Sequence, residues 1–222
     1  MIALRGATLA YGERTLWRGL DLDVRPGEFL AVVGSNGSGK TSLLRVLLGL
    51  QRLSSGTVAV DGRRPRRGSD AVGYVPQHRA VPPHTPLRAR DLVRLGVDGH
   101  RWGPWRPRRD ARRRVEAVLA DVGAAAFADV PVELLSGGEL QRVRIAQALV
   151  TGPRVLLCDE PLASLDAGHQ RVVAGLVDRL RRDHGTAVVF VTHEIDPILP
   201  FADRYLDLGA AREARSSRQE TA

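Results

Sequence analysis

The stretch GSNGSGKT, from Gly34 to Thr41, holds the only lysine of a chain whose 33 Lys and Arg residues are otherwise all arginine. The apolar run FLAVV precedes it, and TSLLRVLLGL follows with the spacing of a helix. A glycine-rich loop between a buried strand and a helix N-terminus is a context in which backbone N–H groups can hold a phosphate. The stretch therefore predicts an α/β chain with a phosphate-binding loop.

The spacing Gly34-x-x-x-x-Gly39-Lys40-Thr41 assigns a role to each part of this loop. Backbone N–H groups converge on the β-phosphate of a nucleotide, and the ammonium of Lys40 reaches the β- and γ-phosphates. A compact ammonium suits this narrow loop better than a planar guanidinium, while the hydroxyl of Thr41 is a ligand for Mg²⁺. The predicted nucleotide-binding residues here are Gly34, Ser35, Asn36, Gly37, Ser38, Gly39, Lys40, Thr41 and Ser42.

A second run, VLLCD at residues 155–159, ends in an acid and is followed by Glu160. A buried strand of a parallel sheet would carry Asp159 to its C-terminal edge, beside the glycine-rich loop, where the carboxylate can hold Mg²⁺. Glu160 is then placed to orient or deprotonate an attacking water. Cys158 lies within the run and is expected to be a core residue.

Strands and helices alternate along the chain, which predicts a mainly parallel sheet with helices on both faces. Between about 78 and 135 the prolines cluster and two helical segments follow, which indicates a helical lobe inserted into a core of residues 1–77 and 136–208. The polar residues 209–222 are expected to form a flexible tail. The predicted strands are 2–10, 20–33 with a turn at Pro26-Gly27, 56–60, 72–75, 155–159, 187–191 and 205–208.

Composition and charge indicate the compartment in which the chain works and the chemistry of its partners. The 222 residues carry a net charge of +8 and a single cysteine, which fits a reducing compartment and excludes an intramolecular disulfide. The N-terminus shows no secretion signal, and no apolar run reaches the roughly 18 residues of a membrane span. The excess positive charge favours an anionic partner, namely a nucleotide, a nucleic acid or membrane headgroups.

Further motifs stand before and after the glycine-rich loop. Leu135-Ser136-Gly137-Gly138-Glu139, with Gln141 and Arg142 after it, resembles the signature of ABC-type ATPases. Tyr11, Gln77, Ser164-Leu165-Asp166 and His193 are similar to the family's adenine-stacking aromatic, Q-loop, D-loop and switch histidine. The resemblance covers roughly residues 2–208. It implies a P-loop NTPase fold of ABC-ATPase type, with a parallel core sheet, an antiparallel β subdomain and a helical subdomain.

The same resemblance implies the role of each matching residue. Gln77, Glu160 and His193 are expected to be catalytic, with Gln77 joining Thr41 and Asp159 as a Mg²⁺ ligand. Two domains of the family pair head to tail, so that each ATP lies between one phosphate-binding loop and the signature of the other subunit. The remaining expected ATP-binding residues are Tyr11, Ser136, Gly137, Gly138, Glu139 and Asp166.

Three classes of ABC protein compete for this chain. A single cassette without a long coiled-coil insertion disfavours the soluble members that act on ribosomes or nucleic acid, and intact Lys40, Glu160 and His193 disfavour a non-catalytic scaffold. The resemblance therefore implies the ATPase subunit of a membrane transporter, on the cytoplasmic face of the membrane. Its expected partners are a second cassette, an integral membrane subunit and an extracytoplasmic substrate-binding protein, with no nucleic acid.

The cargo can be inferred only from kinship. YVPQHRAVPPHTPLRARDLVRLG, DEPLASLDAGHQ and FVTHEIDPILP are similar to ATPase subunits that import zinc, manganese or iron, while siderophore or cobalamin importers and efflux systems remain alternatives. The basic, tryptophan-containing segment 101–114 could contact headgroups or the membrane subunit. The residues expected to line the groove for that subunit are Val81, Leu87, Leu92, Val93 and Leu95.

Overall fold

The computed structural model describes residues 1–77, 85–98, 109–163 and 165–209. Four sets of predictions lie outside these residues: Val81 in the docking groove, Ser164 of the D-loop, the first part of the tryptophan- and arginine-containing segment (101–108), and the tail from 210. The strands are β1 (Ile2–Tyr11), β2 (Arg14–Val24), β3 (Phe29–Val33), β4 (Ser55–Val60), β5 (Val72–Val75), β6 (Val155–Asp159), β7 (Ala187–Val191) and β8 (Arg204–Asp207). The helices are α1 (Lys40–Leu47), α2 (Ala89–Asp98), α3 (Arg109–Asp121), α4 (Gly137–Leu149) and α5 (Ala167–His184), with short 3-10 turns at Ala125–Phe127 and Val132–Leu134.

Five strands form the central sheet, in the order β5-β6-β7-β3-β8, and every neighbouring pair is parallel. The strands β6 and β7 are buried along their whole length, as continuous apolar runs in a parallel sheet should be. Cys158 lies fully buried in β6, as predicted. Because all five strands run the same way, the loops that follow them meet at one edge of the sheet, which is where the candidate site is found.

A second, antiparallel sheet has the order β2-β1-β4. The prediction of a strand beginning at residue 20 was wrong at its start, because β2 already begins at Arg14. The register between β1 and β2 shifts at three places, and the neighbours Leu16 and Trp17 are both buried. These irregularities break the alternation of apolar and polar residues by which a strand is recognised in a sequence.

The helices of the predicted lobe share the core of the parallel sheet. Ala111, Val115, Val118 and Leu119 of α3 are buried at the spacing of one helix face, and Val93 of α2 lies in the same apolar cluster as Phe29 and Val188 of the sheet. The division into a core (1–77 and 136–208) and an inserted subdomain (about 78–135) stays a prediction. None of the helices in the described ranges is long and apolar enough to cross a membrane.

Candidate nucleotide-binding site

The loop after β3 has a backbone that only glycine can adopt at two positions. Gly34 and Gly39 have φ values of 145° and 100°. A Cβ atom on Gly34 would lie 2.7 Å from Oγ of Ser38, and one on Gly39 would lie 2.8 Å from Nε1 of Trp17. The loop is therefore held tightly between its own Ser38 and the tryptophan of β2 beneath it, and its shape depends on the absence of side chains at these positions.

Lys40 is the first residue of α1, and its side chain turns back into the loop. Its Nζ donates hydrogen bonds to the carbonyl oxygens of Gly34 (2.7 Å) and Ser35 (3.2 Å), and the residue is only 6% exposed. The loop thus encloses an ammonium group, with the N-terminus of α1 at the same place. A positive charge and a helix N-terminus together form a site for an anion.

A cavity of about 1030 Å³ opens over this loop. It brings together residues that five separate segments contribute, and most of the residues predicted for the glycine-rich loop are among them. Ser38 is buried beneath the loop and does not line it. The lining residues are Tyr11, Arg14, Leu16, Gly34, Ser35, Asn36, Gly37, Gly39, Lys40, Thr41, Ser42, Gln77, Glu160 and His193.

Asp159, at the end of β6, lies beside the start of α1. Its Oδ1 is 3.3 Å from the hydroxyl of Thr41, and its Oδ2 accepts a 3.2 Å hydrogen bond from the hydroxyl of Tyr74. Burial raises the pKa of the Asp159 carboxyl above its ordinary value, and the hydrogen bonds from Tyr74 and Thr41 oppose that rise. A buried carboxylate next to a threonine hydroxyl is the kind of hard oxygen set that Mg²⁺ prefers.

Glu160 connects the loops that follow β5, β6 and β7. Its Oε2 accepts a 3.1 Å hydrogen bond from Nε2 of Gln77 and lies 3.6 Å from Nδ1 of His193. Glu160 also has a positive φ of 47°, uncommon for a residue with a side chain, and its N–H donates to the carbonyl of Val191. A strained backbone that aims a carboxylate into a cavity is a feature of functional sites.

The signature residues lie away from this cavity. Ser136 caps α4, with its hydroxyl and N–H both 2.8 Å from Oε2 of Glu139, while its Oγ accepts from the N–H of Glu139. This reciprocal arrangement caps the N-terminus of α4, where Ser136 and Gly137 are exposed to solvent. The hydrogen bond from the Ser136 hydroxyl lowers the pKa of the Glu139 carboxyl, which therefore stays ionised.

Asp166 is also outside the cavity, at the start of α5. Its side chain caps this helix by accepting from the N–H of His169 (3.0 Å), and it pairs with the ring of His169 at 2.6 Å. The helix start that carries Asp166 packs against the signature, because a Cβ on Gly138 would lie 3.0 Å from the His169 ring. Neither Asp166 nor the signature shares the cavity with Lys40 and Glu160 in one chain.

Comparison with known proteins identifies the family. The sequence model of the family described as "ABC transporter" matches residues 17–163, which is most of the chain. The chain belongs to the ABC transporter family. It is similar to the aliphatic sulfonates import ATP-binding protein SsuB 3 of Nocardia farcinica, with 42% identity over 97% of this chain and 79% of that protein. The zinc import ATP-binding protein ZnuC of Halorhodospira halophila is 35% identical over 96% of this chain and 76% of that protein.

Solved structures agree with this assignment. The dimeric bacterial ABC transporter cassette MJ0796 has 29% identity and a TM-score of 0.75, covering 94% of this chain and 95% of that one. The same cassette in a post-hydrolysis state bound to ADP and phosphate has a TM-score of 0.77 at 28% identity and covers 96% of both chains. The chain is thus an ATP-binding, ATP-hydrolysing subunit of the ABC class, and the predicted P-loop fold with its two sheets is confirmed.

Sequence reasoning missed several residues of the ABC site. Arg14 lines the cavity and its guanidinium lies 3.4 Å from the carbonyl of Gly37, while Leu16 lines the cavity beside it. Tyr74, the hydrogen-bond donor to Asp159, is part of the quoted motif YVPQ but was not given a role. Tyr74 lies next to β6 because β5 and β6 are neighbouring strands, and no local sequence pattern predicts the order of the strands. The alternation in VGYV could have indicated only that Tyr74 shares a face with Val72.

Proposed function

We propose that this subunit hydrolyses ATP in a site completed by a second copy of the chain, and thereby drives import through a membrane partner. The observation that carries the proposal is the cavity in which the loop around Lys40 meets Gln77, Glu160 and His193, while the N-terminus of α4 does not line it. A head-to-tail pair of chains would bring the signature of each to the cavity of the other.

The chain's own residues supply the steps of hydrolysis. The loop amides and Lys40 hold the β- and γ-phosphates, and Tyr11 at the cavity rim stacks on the adenine. Glu160 orients a water in line with the γ-phosphate and accepts its proton as the bond to the β-phosphate oxygen breaks, leaving ADP and phosphate. Gln77 and His193, both within reach of the same Glu160 oxygen, position this carboxylate and contact the γ-phosphate.

Thr41, Asp159 and Gln77 would hold Mg²⁺, which neutralises phosphate charge when bound. The proximity of the Thr41 hydroxyl to the buried Asp159 carboxylate supports this set. Gln77 would have to turn from Glu160 to contribute its amide oxygen, because its Nε2 is engaged there.

Ser136, Gly137, Gly138 and Glu139 would receive the γ-phosphate of the ATP held by the other copy. The exposed helix N-terminus gives them backbone N–H groups for that purpose, and the hydroxyl of Ser136 would have to turn from Oε2 of Glu139 to join them. Asp166, at the adjoining helix start, would lie at the same interface. ATP would therefore close the pair of chains, and hydrolysis would let it reopen.

The relatives' names, which call them import ATP-binding proteins, support import as the direction. We further propose a place on the cytoplasmic face of the membrane, with an integral membrane subunit and an extracytoplasmic binding protein as partners. Two cargoes are proposed, because the similar proteins divide between them. The divalent metal suggested by the sequence agrees with the zinc import protein at 35% identity, while an aliphatic sulfonate agrees with the sulfonate import protein at 42%.

A deletion strain distinguishes the two cargoes. Loss of growth on an aliphatic sulfonate as sole sulfur source, rescued by the wild-type gene but not by Glu160→Gln, would assign sulfonate import. Hypersensitivity to a zinc chelator, rescued in the same way, would assign metal import. Normal growth in both media would contradict both cargoes. Purification of the chain from detergent-solubilised membranes with a polytopic protein supports the transporter, whereas recovery with ribosomes or nucleic acid contradicts it.

A further inference from the structure

The switch histidine is approached from the side opposite Glu160 by a pair of residues with no assigned role. Nε2 of His193 lies 3.6 Å from Oε1 of Glu194, and Oε2 of Glu194 accepts a 2.9 Å hydrogen bond from Nε2 of Gln170. The imidazole is thus placed between two carboxylates, with Nδ1 toward Glu160 and Nε2 toward Glu194. The orientation of the His193 ring therefore depends on the position of the Glu194 carboxylate.

Glu194 is fixed at both its backbone and its side chain. The hydroxyl of the buried Thr192 accepts from the N–H of Glu194 and donates to its carbonyl oxygen. Its carboxylate is half exposed, so water would compete for it unless a protein donor held it in place. That donor is Gln170, which is only 9% exposed and lies in the first turn of α5. A buried amide that donates to a charged group is a strong, directional contact.

We infer that Gln170 is a positioning residue for hydrolysis, acting through Glu194 on the ring of His193. The inference rests on the proposed role of His193 at the γ-phosphate. The amide of Gln170 holds the Glu194 carboxylate, the carboxylate fixes the orientation of the imidazole, and the imidazole then presents its other nitrogen to the cavity.

The location of Gln170 gives the contact a further consequence. The same turn of α5 begins at Asp166 and places the ring of His169 against Gly138 of the signature. The first turn of α5 therefore touches the surface that would meet the partner's ATP, and, through Gln170, the histidine of its own ATP site. A shift of the signature on closure of the pair would reach His193 along these contacts.

The test is steady-state ATP hydrolysis by the purified full-length chain carrying Gln170→Leu. Leucine keeps the buried volume and removes the donor, so kcat is expected to fall about tenfold with little change in KM for ATP. Glu194→Ala changes a half-exposed side chain, so we expect the variant to fold. It should likewise lower kcat and leave KM for ATP nearly unchanged. Gln51→Leu, which removes a local side-chain donor to the carbonyl of Arg52 outside the cavity, is the matched control and should hydrolyse ATP as the wild type does.

An exchange of the two groups separates positioning from a general structural effect. Gln170→Glu alone places two carboxylates next to each other, where they repel, and should have the lowest kcat of these variants. Combined with Glu194→Gln it restores an amide-to-carboxylate hydrogen bond, and the rate should recover relative to Gln170→Glu. A wild-type kcat for both Gln170→Leu and Glu194→Ala, a rise in KM alone, or no recovery in the exchanged pair would overturn the inference.

His193→Ala distinguishes this failure from failure of the proposed function. If His193→Ala hydrolyses ATP at the wild-type rate, the role of His193 itself is wrong. If it is impaired while Gln170→Leu and Glu194→Ala are not, only the positioning role is wrong.

Discussion

The side-chain amide of Gln77 donates a 3.1 Å hydrogen bond to Oε2 of Glu160, so that the loops after β5 and β6 are joined across the candidate site. His193 approaches the same oxygen from the loop after β7. One carboxylate oxygen of Glu160 thus has contacts from two other segments. A movement of Gln77 would directly change the orientation of the proposed base.

Replacing Glu160 with Gln should lower the rate of ATP hydrolysis by a factor of about 100 or more while leaving ATP affinity intact, because the amide cannot accept a proton. Hydrolysis is measured by phosphate release and affinity by titration with labelled nucleotide. Glu116→Gln, which changes an acid of α3 paired with Arg112 outside the cavity, is the matched control. A Glu160→Gln variant that turned over at the wild-type rate would remove Glu160 from the mechanism.

Lys40→Ala should weaken ATP binding about tenfold or more, since it removes the positive charge enclosed by the loop. Lys40→Arg should not rescue it, because the loop leaves the lysine only 6% exposed and offers no room for a planar guanidinium. Equilibrium titration of both variants is the measurement, with Arg52→Ala as a control that removes an exposed cation. Unchanged affinity in Lys40→Ala would contradict the phosphate-binding loop.

Asp159→Asn should raise the melting temperature of the nucleotide-free protein at neutral pH while it abolishes Mg²⁺-dependent hydrolysis. Burial raises the pKa of Asp159, so its ionised form costs stability in the folded state, and this cost grows as the pH rises above the carboxyl's ordinary pKa of 3.8. The advantage of the Asn variant should therefore be larger at pH 7.5 than at pH 4.5 in thermal unfolding. A lower melting temperature of the variant at pH 7.5 would show that the carboxylate stabilises the fold.

Glu139→Ala should destabilise the protein by about 1 kcal/mol at neutral pH, because it breaks the reciprocal cap at the start of α4. The lowered pKa of Glu139 means that this contribution is present above the ordinary carboxyl pKa and is lost as the pH falls through the folded-state value. The stabilities of wild type and variant in chemical unfolding should therefore converge as the pH is lowered from neutral to below the ordinary carboxyl pKa of 4.5. A difference that stays constant over this range would mean that the ionised cap is not its source.

The parts of the fold that the sequence predicts well are those with a strong local pattern. The run VLLCD and the segment TSLLRVLLGL form β6 and most of α1, because an unbroken apolar run and the helical spacing of apolar residues are local signals. The first half of β2 was missed because its register irregularities place two neighbouring apolar residues in the core, which no alternating pattern reproduces.

The contacts that join distant segments could not be predicted. Tyr74 reaches Asp159 because β5 is the neighbour of β6, and Gln170 reaches Glu194 because the first turn of α5 lies beside the loop after β7. Both contacts depend on the order of the strands and on the way the helices pack against the sheet. Neither can be predicted from the spacing of residues in the sequence. The motifs predict which residues form the site, whereas the packing decides which residues hold them in place.

The mass of the Glu160→Gln variant in solution, measured by light scattering with and without ATP, tests most directly the claim that two copies complete the site. We predict the mass of one chain without nucleotide and of two chains with ATP. Adding Ser136→Glu should abolish the pair, because it places a carboxylate against the partner's γ-phosphate. A variant that stays a single chain at saturating ATP, or a pair that forms equally without ATP or with Ser136→Glu, would contradict it.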